Sequence, residues 1–111
     1  MEPRLKSALW VKALIRRLDV EMMTAMVTRS GDPEAGAVYL KLNSLNGECR
    51  VLNRTYGDAG QRVWSSATGE APVGEANADD YLERQIKYDS DCWIVEIEDP
   101  NGKFSIDDLV G

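Results

Sequence analysis

Twelve residues near the start of the chain, SALWVKALIRRL from Ser7 to Leu18, narrow what it can fold into more than any other stretch. At about 100° per residue, Trp10, Val11, Leu14, Ile15 and Leu18 fall with Ala8 on one stripe, while Lys12, Arg16 and Asp19 point away. Ser7 suits the N-cap, and neither proline nor glycine interrupts the chain between Arg4 and Gly31. Burying five large apolar side chains at about 1.5–3 kcal/mol each contributes roughly 7–15 kcal/mol, an upper figure because the unfolded chain already hides part of that surface. Alone, such a helix is marginal in water. It requires a surface to lie on, and the sequence that follows supplies a sheet.

Pro3 keeps Glu2 extended before the helix opens. After Asp19 the period changes from helical to two. Met23, Ala25 and Val27 alternate with Met22, Thr24 and Met26, which predicts a first strand within Glu21 to Arg29. The methionines read as flexible core filling, with an adaptable binding surface as the lesser alternative. Ser30-Gly31-Asp32-Pro33 ends that strand, and Val38, Leu40 and Leu42 then alternate with Tyr39, Lys41 and Asn43, a strand with one wet face. Asn46-Gly47 predicts a tight type I′ hairpin back onto Glu48 to Thr55. Arg62 to Ser65 reads as a short strand, and Ser66 to Ala76 as a stretch with few anchors. Asn77 or Asp79 caps a second helix running to about Tyr88. Cys92 to Glu98 is the last strong strand, with Trp93, Val95 and Ile97 inward and Glu96 and Glu98 toward water. A turn at Asp99 to Gly102 leads into a short edge strand at Lys103 to Ile106, and Asp107 to Gly111 is an acidic end.

The expected architecture is therefore a single α+β domain over residues 1–111. It has one antiparallel sheet of four to six strands, the first helix packed across one face, and a second helix before the last strong strand, near an edge or on the same face. At 111 residues the chain suits one core and no more.

Charge excludes some functions. The chain carries a formal charge of −6, with the basic excess in residues 1–29 and the acidic excess in residues 58–111. Nucleic-acid binding needs a net basic face, so no nucleic acid is expected as a partner. No segment has the length or composition of a membrane span or a secretory signal, which implies no membrane and a cytoplasmic location. Cys49 and Cys92 stand 43 positions apart with no CxxC motif, and the chain has no histidine, so zinc ligation and the commonest general base are both missing. No catalytic set, no metal site and no cofactor is expected.

The residues that can carry binding are few. Arg16, Arg17 and Arg29 offer guanidinium forks suited to carboxylate or phosphate, although pairing with the acidic C-terminal third of the same chain uses the same chemistry. Trp64, in a short polar segment, is the candidate exposed aromatic contact, whereas Trp10 and Trp93 belong to a core. Asp89, Asp91, Glu96, Glu98 and Asp99 crowd one region but lack calcium-loop spacing, and read as a solvated face. Gly31 and Gly36 flank two acids and lack a phosphate-loop lysine, so a plain turn is the reading there.

The segments RLKSALWVKALIRR, RSGDPEAGAVYLK and YLERQIKYDSDCWIVEIED, taken in that order and spacing, resemble a bacterial family of short proteins classed as a domain of unknown function. The resemblance implies a bacterial, single-domain, cytosolic protein and carries no chemistry with it. Two functions remain. One is a non-catalytic interaction or accessory domain acting through a protein partner or as a homo-oligomer. The other is a small-molecule or nucleotide-binding protein, or an enzyme, using a basic cluster on or near the first helix. A homodimer favours the first, and a defined pocket with convergent arginines favours the second.

Overall fold

The computed structural model describes residues 6–109, the side chains of Tyr56 and Asp108 apart. The lead-in at Glu2 and Pro3 and the last two residues of the acidic end lie outside them. In chain order the elements are α1 (Ser7–Val20), β1 (Thr24–Arg29), β2 (Val38–Asn43), β3 (Glu48–Tyr56), β4 (Arg62–Ser66), β5 (Val73–Gly74), α2 (Glu75–Tyr88), β6 (Trp93–Glu98) and a 3-10 turn at Ile106–Asp108. The fold is α+β, with two helices and one six-stranded sheet among the described residues.

The sheet runs β1-β6-β2-β3-β4, with β5 paired to β3. Four pairings are antiparallel as expected, and β2–β6 is parallel, so the sheet is mixed. The cause is α2. A strand can return parallel to an earlier neighbour only by a crossover, and α2 carries the chain back across the sheet before β6 begins.

Each helix takes its own face. Trp10, Val11, Leu14 and Leu18 of α1 bury against Leu40, Leu52, Trp93, Val95 and Ile97, with Phe104, Ile106 and Leu109 closing the margin. Ala78 and Leu82 of α2 bury against Cys49, Val51 and Ile94, whose side chains point to the other side of the same strands. The second helix therefore lies opposite the first, rather than beside it or at an edge. Both cysteines are buried free thiols.

Local expectations are corrected in four places. Ser7 is not the N-cap of α1. Lys6 holds that position, and the amides of Ser7 and Ala8 donate to the Glu34 and Pro33 carbonyls at 3.2 and 2.9 Å, so a loop caps the helix. Likewise α2 begins at Glu75 after Gly74, ahead of Asn77, because the Glu75 amide donates to the Gly47 carbonyl at 3.0 Å. The β2–β3 hairpin forms with a four-residue loop, Ser44 to Gly47, instead of a two-residue turn. Asn43 Oδ1 accepts the Leu45 amide and Asn46 Oδ1 the Glu48 amide, and these side-chain turns place the positive φ angles at Leu45 and Gly47. Lys103 to Ile106 makes no strand, since Asp99, itself buried, accepts the amides of Lys103 and Phe104 and turns the chain toward the 3-10 segment.

The stretch after Ser66 is also better tied than its composition suggests. Val51 accepts the Ala67 amide on its carbonyl and donates its own amide to Thr68 Oγ1, and Val73 and Gly74 add the short strand to β3.

Candidate functional site

Three regions of the molecule gather chemistry-bearing side chains. The first lies on the α2 face of the sheet and was hidden in the alternating pattern of β2. Tyr39, Lys41 and Asn43 read as the wet side of that strand, but α2 crosses it and leaves Lys41 only 5% exposed. Its ammonium reaches Glu75 Oε2 and Asp79 Oδ1, both at 2.8 Å and both from α2, and Glu96 Oε1 of β6 at 3.5 Å. Asn43 Nδ2 donates to the Glu75 and Glu96 carboxylates at 3.3 and 3.1 Å. Burial works against the charged amine, yet the hydrogen bonds from Asp79 and Glu75 and the nearby Glu96 charge outweigh it and hold Lys41 above the ordinary lysine range. With its ammonium engaged by two carboxylates of α2 and one of β6, Lys41 fastens α2 to the sheet. It also occupies Glu96, one of the acids read as solvated.

The second region is the end of the sheet near the start of α1. β2 pairs with β6 from Val38 onward but with β3 only from Leu40, whereas β3 and β4 stay paired out to Tyr56 and Arg62. The sheet forks there, and the fork holds a cavity of about 440 Å³. Behind it Trp10 and Trp64 stack with ring centroids 5.2 Å apart and 20° between planes, and the Arg54 guanidinium lies 5.3 and 5.1 Å from the two rings. One wall is Glu34 to Gly36, the end of the loop that starts at Gly31. Asp32 fixes it, accepting the Ala35 amide on its carboxylate and the Trp93 indole N–H on its carbonyl at 2.7 Å, and donating its amide to the Asp91 carbonyl. A Cβ on Gly31 or Gly36 would run into that Asp91 carbonyl oxygen, so the two glycines are there for close approach of backbone and not to cradle phosphate.

The third region is the free border of the sheet at β1. Among the described residues Thr24 to Arg29 pairs with β6 alone, with a register shift between Val27 and Arg29. Met26 and Val27 are exposed on it, and Val20 and Met22 stand out beside it at 79% and 94% exposure. Between this border and α1 lies a shallow groove lined by Lys12, Ile15, Arg16, Asp19 and Met23.

The expected binding residues do not converge. Arg16 lines the groove beside β1, while Arg17 pairs with Glu21 one turn on at 3.8 Å. Arg29 donates to the Ser90 carbonyl at 2.8 Å, at the far end of β1. Trp64 is half-buried against Trp10, and its indole N–H has no hydrogen-bond partner among the described residues. Two other arginines, Arg54 and Arg62, line the cavity at the fork; nothing in the pattern singled them out, because a polar residue on a strand signals only a face and the fork arises from the different lengths of two pairings. Among the described residues, no group of three acids or thiols is arranged to hold a metal ion, and no helix is long and apolar enough to cross a membrane.

Residues 5–107 match a family described as proteins of unknown function, DUF1491. The chain is similar to the crystal structure of a DUF1491 family protein from Caulobacter crescentus CB15, at 37% identity over 90% of this chain and 92% of that one, with a TM-score of 0.79. An NMR structure of a DUF1491 family protein from the same organism gives 36% identity, 92% coverage of both chains and a TM-score of 0.76. The solution structure of protein Atu0922 from A. tumefaciens gives 30% identity, 87% coverage of both and 0.74. No curated protein matches the chain.

Proposed function

We propose, from the premise that this chain belongs to the DUF1491 family of proteins of unknown function, that it is a non-catalytic interaction domain that self-associates through β1. The observation that carries the reading is the character of that border strand. Thr24-Ala25-Met26-Val27-Thr28 has no charge and no proline before Arg29 closes the strand, and among the described residues no strand pairs with it beyond β6. Sheets protect such borders with charged residues, proline or a covering segment; here the register shift between Val27 and Arg29 and the Arg29 charge sit at one end of the strand and leave Thr24 to Val27 plain.

A second copy is the partner that fits best. Two β1 strands running antiparallel about a two-fold axis complete each other's hydrogen bonds, and both copies of α1 then lie on one face of the extended sheet. The adjoining groove carries Arg16 and Asp19 together, so an antiparallel neighbour can set its Asp19 against this Arg16 and the reverse. Met22, Met26 and Val27 supply apolar area beside the strand pair.

Sedimentation across a concentration series tests this. The expected result is a monomer–dimer equilibrium with Kd in the range of about 1–100 μM. Met26→Lys with Val27→Lys, both at exposed positions, abolishes the dimer and leaves the melting temperature of the monomer unchanged. A monomer at every concentration up to about 1 mM, or a dimer indifferent to the two lysines, overturns the reading.

A further inference from the structure

The loop between β2 and β3 has no part in that pairing, and we propose that Asn46 within it is a modification site. There the chain converts its own asparagine to a succinimide and then, with water as the one co-reactant, to isoaspartate or aspartate, and the isoaspartate form loosens α2. The reaction needs a backbone nitrogen that can reach the side-chain carbonyl carbon of the residue before it, and support for the charge that gathers on the carbonyl oxygen. Glycine offers the least obstructed nitrogen, and Gly47 follows Asn46. Both residues are exposed, and the place where a side chain on Gly47 would stand is open space. Among the described residues the Gly47 amide has no acceptor, so its proton can leave without breaking a hydrogen bond.

The side chain is already turned the right way. Asn46 Oδ1 accepts the Glu48 amide at 3.1 Å. That turn folds the side chain back over the Gly47 nitrogen, and it sets a donor on the oxygen that becomes negative as the ring closes. In balance, Gly47 N gives its proton to water and bonds to Cγ of Asn46, while Nδ2 takes up a proton and leaves as ammonia. One water then opens the ring. Attack at Cγ returns the ordinary main chain with an aspartate, whereas attack at the main-chain carbonyl carbon leaves the chain running through Cγ as isoaspartate. No oxidant or reductant takes part.

A second Asn-Gly pair in the same chain serves as the comparison. Asn101 and Gly102 are also exposed, and Gly102 also has a positive φ, 65° against 91° at Gly47. There, however, the glycine amide is spent on the Asp99 carbonyl at 3.3 Å, and no described donor meets the Asn101 side chain. The two products at position 46 also differ in consequence. Aspartate keeps the main-chain path and an oxygen for the Glu48 amide. Isoaspartate adds a methylene to the main chain before Gly47, whose carbonyl accepts the Glu75 amide at 3.0 Å where α2 begins. Glu75 in turn holds the Lys41 ammonium at 2.8 Å, so a displaced Gly47 reaches both the start of α2 and the contact that fastens it.

Ageing the full chain in mildly alkaline buffer at body temperature, with tryptic digestion and mass spectrometry at intervals, tests the site. The expected result is a form of the Leu42–Arg50 peptide one dalton heavier, with fragmentation placing the change on Asn46 and not Asn43. It accumulates at least about fivefold faster than the same change in the Tyr88–Lys103 peptide, which holds Asn101. Equal rates in the two peptides overturn the proposal, as does a gain confined to Tyr88–Lys103. So does no gain in either peptide while the chain unfolded in urea gains it in both. The isoaspartate form, separated by chromatography, melts about 3–6 °C below the fresh chain, the shift expected for one lost helix-capping bond at this size. Asn46→Asp, which keeps the turn, melts with the wild type. An isoaspartate form with an unchanged melt overturns the coupling to α2. None of these readings depends on whether the chain self-associates through β1.

Discussion

At the scale of single residues, Lys41 is the position on which most depends. Its ammonium is buried and faces Glu75, Asp79 and Glu96, three carboxylates from two elements. Replacing it with methionine leaves those acids together without a cation. Breaking a fully buried pair costs about 3–5 kcal/mol and an exposed one less than about 1, and since Glu75 and Asp79 are half exposed the expected loss is about 2–4 kcal/mol by denaturant unfolding. The pH dependence has a definite sign. The folded state raises the lysine pKa, so its contribution is complete below the ordinary lysine value of about 10.4 and disappears as pH climbs through the higher folded value. The stability gap between wild type and Lys41→Met is thus flat from about pH 6 to 9 and narrows only above about 10.5. A gap that changes through neutrality would mean that another group governs it. Burial likewise pushes the Cys49 and Cys92 thiols up, which keeps both protonated and inert in the folded chain.

Between elements, the loop from Gly31 to Gly36 does the work of a joint. It caps α1 with two carbonyls, accepts the Ser7 hydroxyl on the Gly36 carbonyl at 2.6 Å, and receives the indole N–H of Trp93. Trp93→Phe removes that donor while keeping most of the ring's bulk, and about 1–2 kcal/mol of stability is expected to go with it, measured by urea unfolding. Gly36→Ala forces a Cβ against the Asp91 carbonyl and is the harsher change. How far the sequence foretold these elements follows from how local their causes are. The α1 stripe and the alternation of Val38, Leu40 and Leu42 depend on neighbouring residues alone, and both appear where the periodicity puts them. The loop caps do not, because they join residues about 27 apart, and a helix start is legible only when its own side chain makes the cap. Nor could the pattern of β2 reveal that Lys41 is buried. A polar residue on alternate positions signals a second face, and whether water or α2 covers that face is decided some 35 residues later. The arginines of the fork were illegible for the same reason.

For the whole molecule, the imbalance of charge along the chain is only partly settled by the fold. Lys41 draws on the acidic third through Glu75, Asp79 and Glu96, but Arg17 turns to Glu21 within its own helix and Arg29 to a backbone carbonyl. The exposed ion pairs at Lys6 and Arg17 contribute little, so self-repulsion of the net charge is the larger salt-dependent effect. Raising NaCl from about 20 mM to about 500 mM should therefore lift the melting temperature by about 2–4 °C, and calorimetry recording a fall would point to internal pairing instead. β6 comes last among the strands and sits between β1 and β2, two strands made far earlier. While the ribosome is still short of Trp93, β1 and β2 have no neighbour in common, and Leu40 and Leu18 lack the Val95 and Ile97 side chains they bury against. The nascent polypeptide cannot assemble its centre piecemeal as it emerges. It must wait, open and oily, until β6 has been made, and then close in one cooperative step.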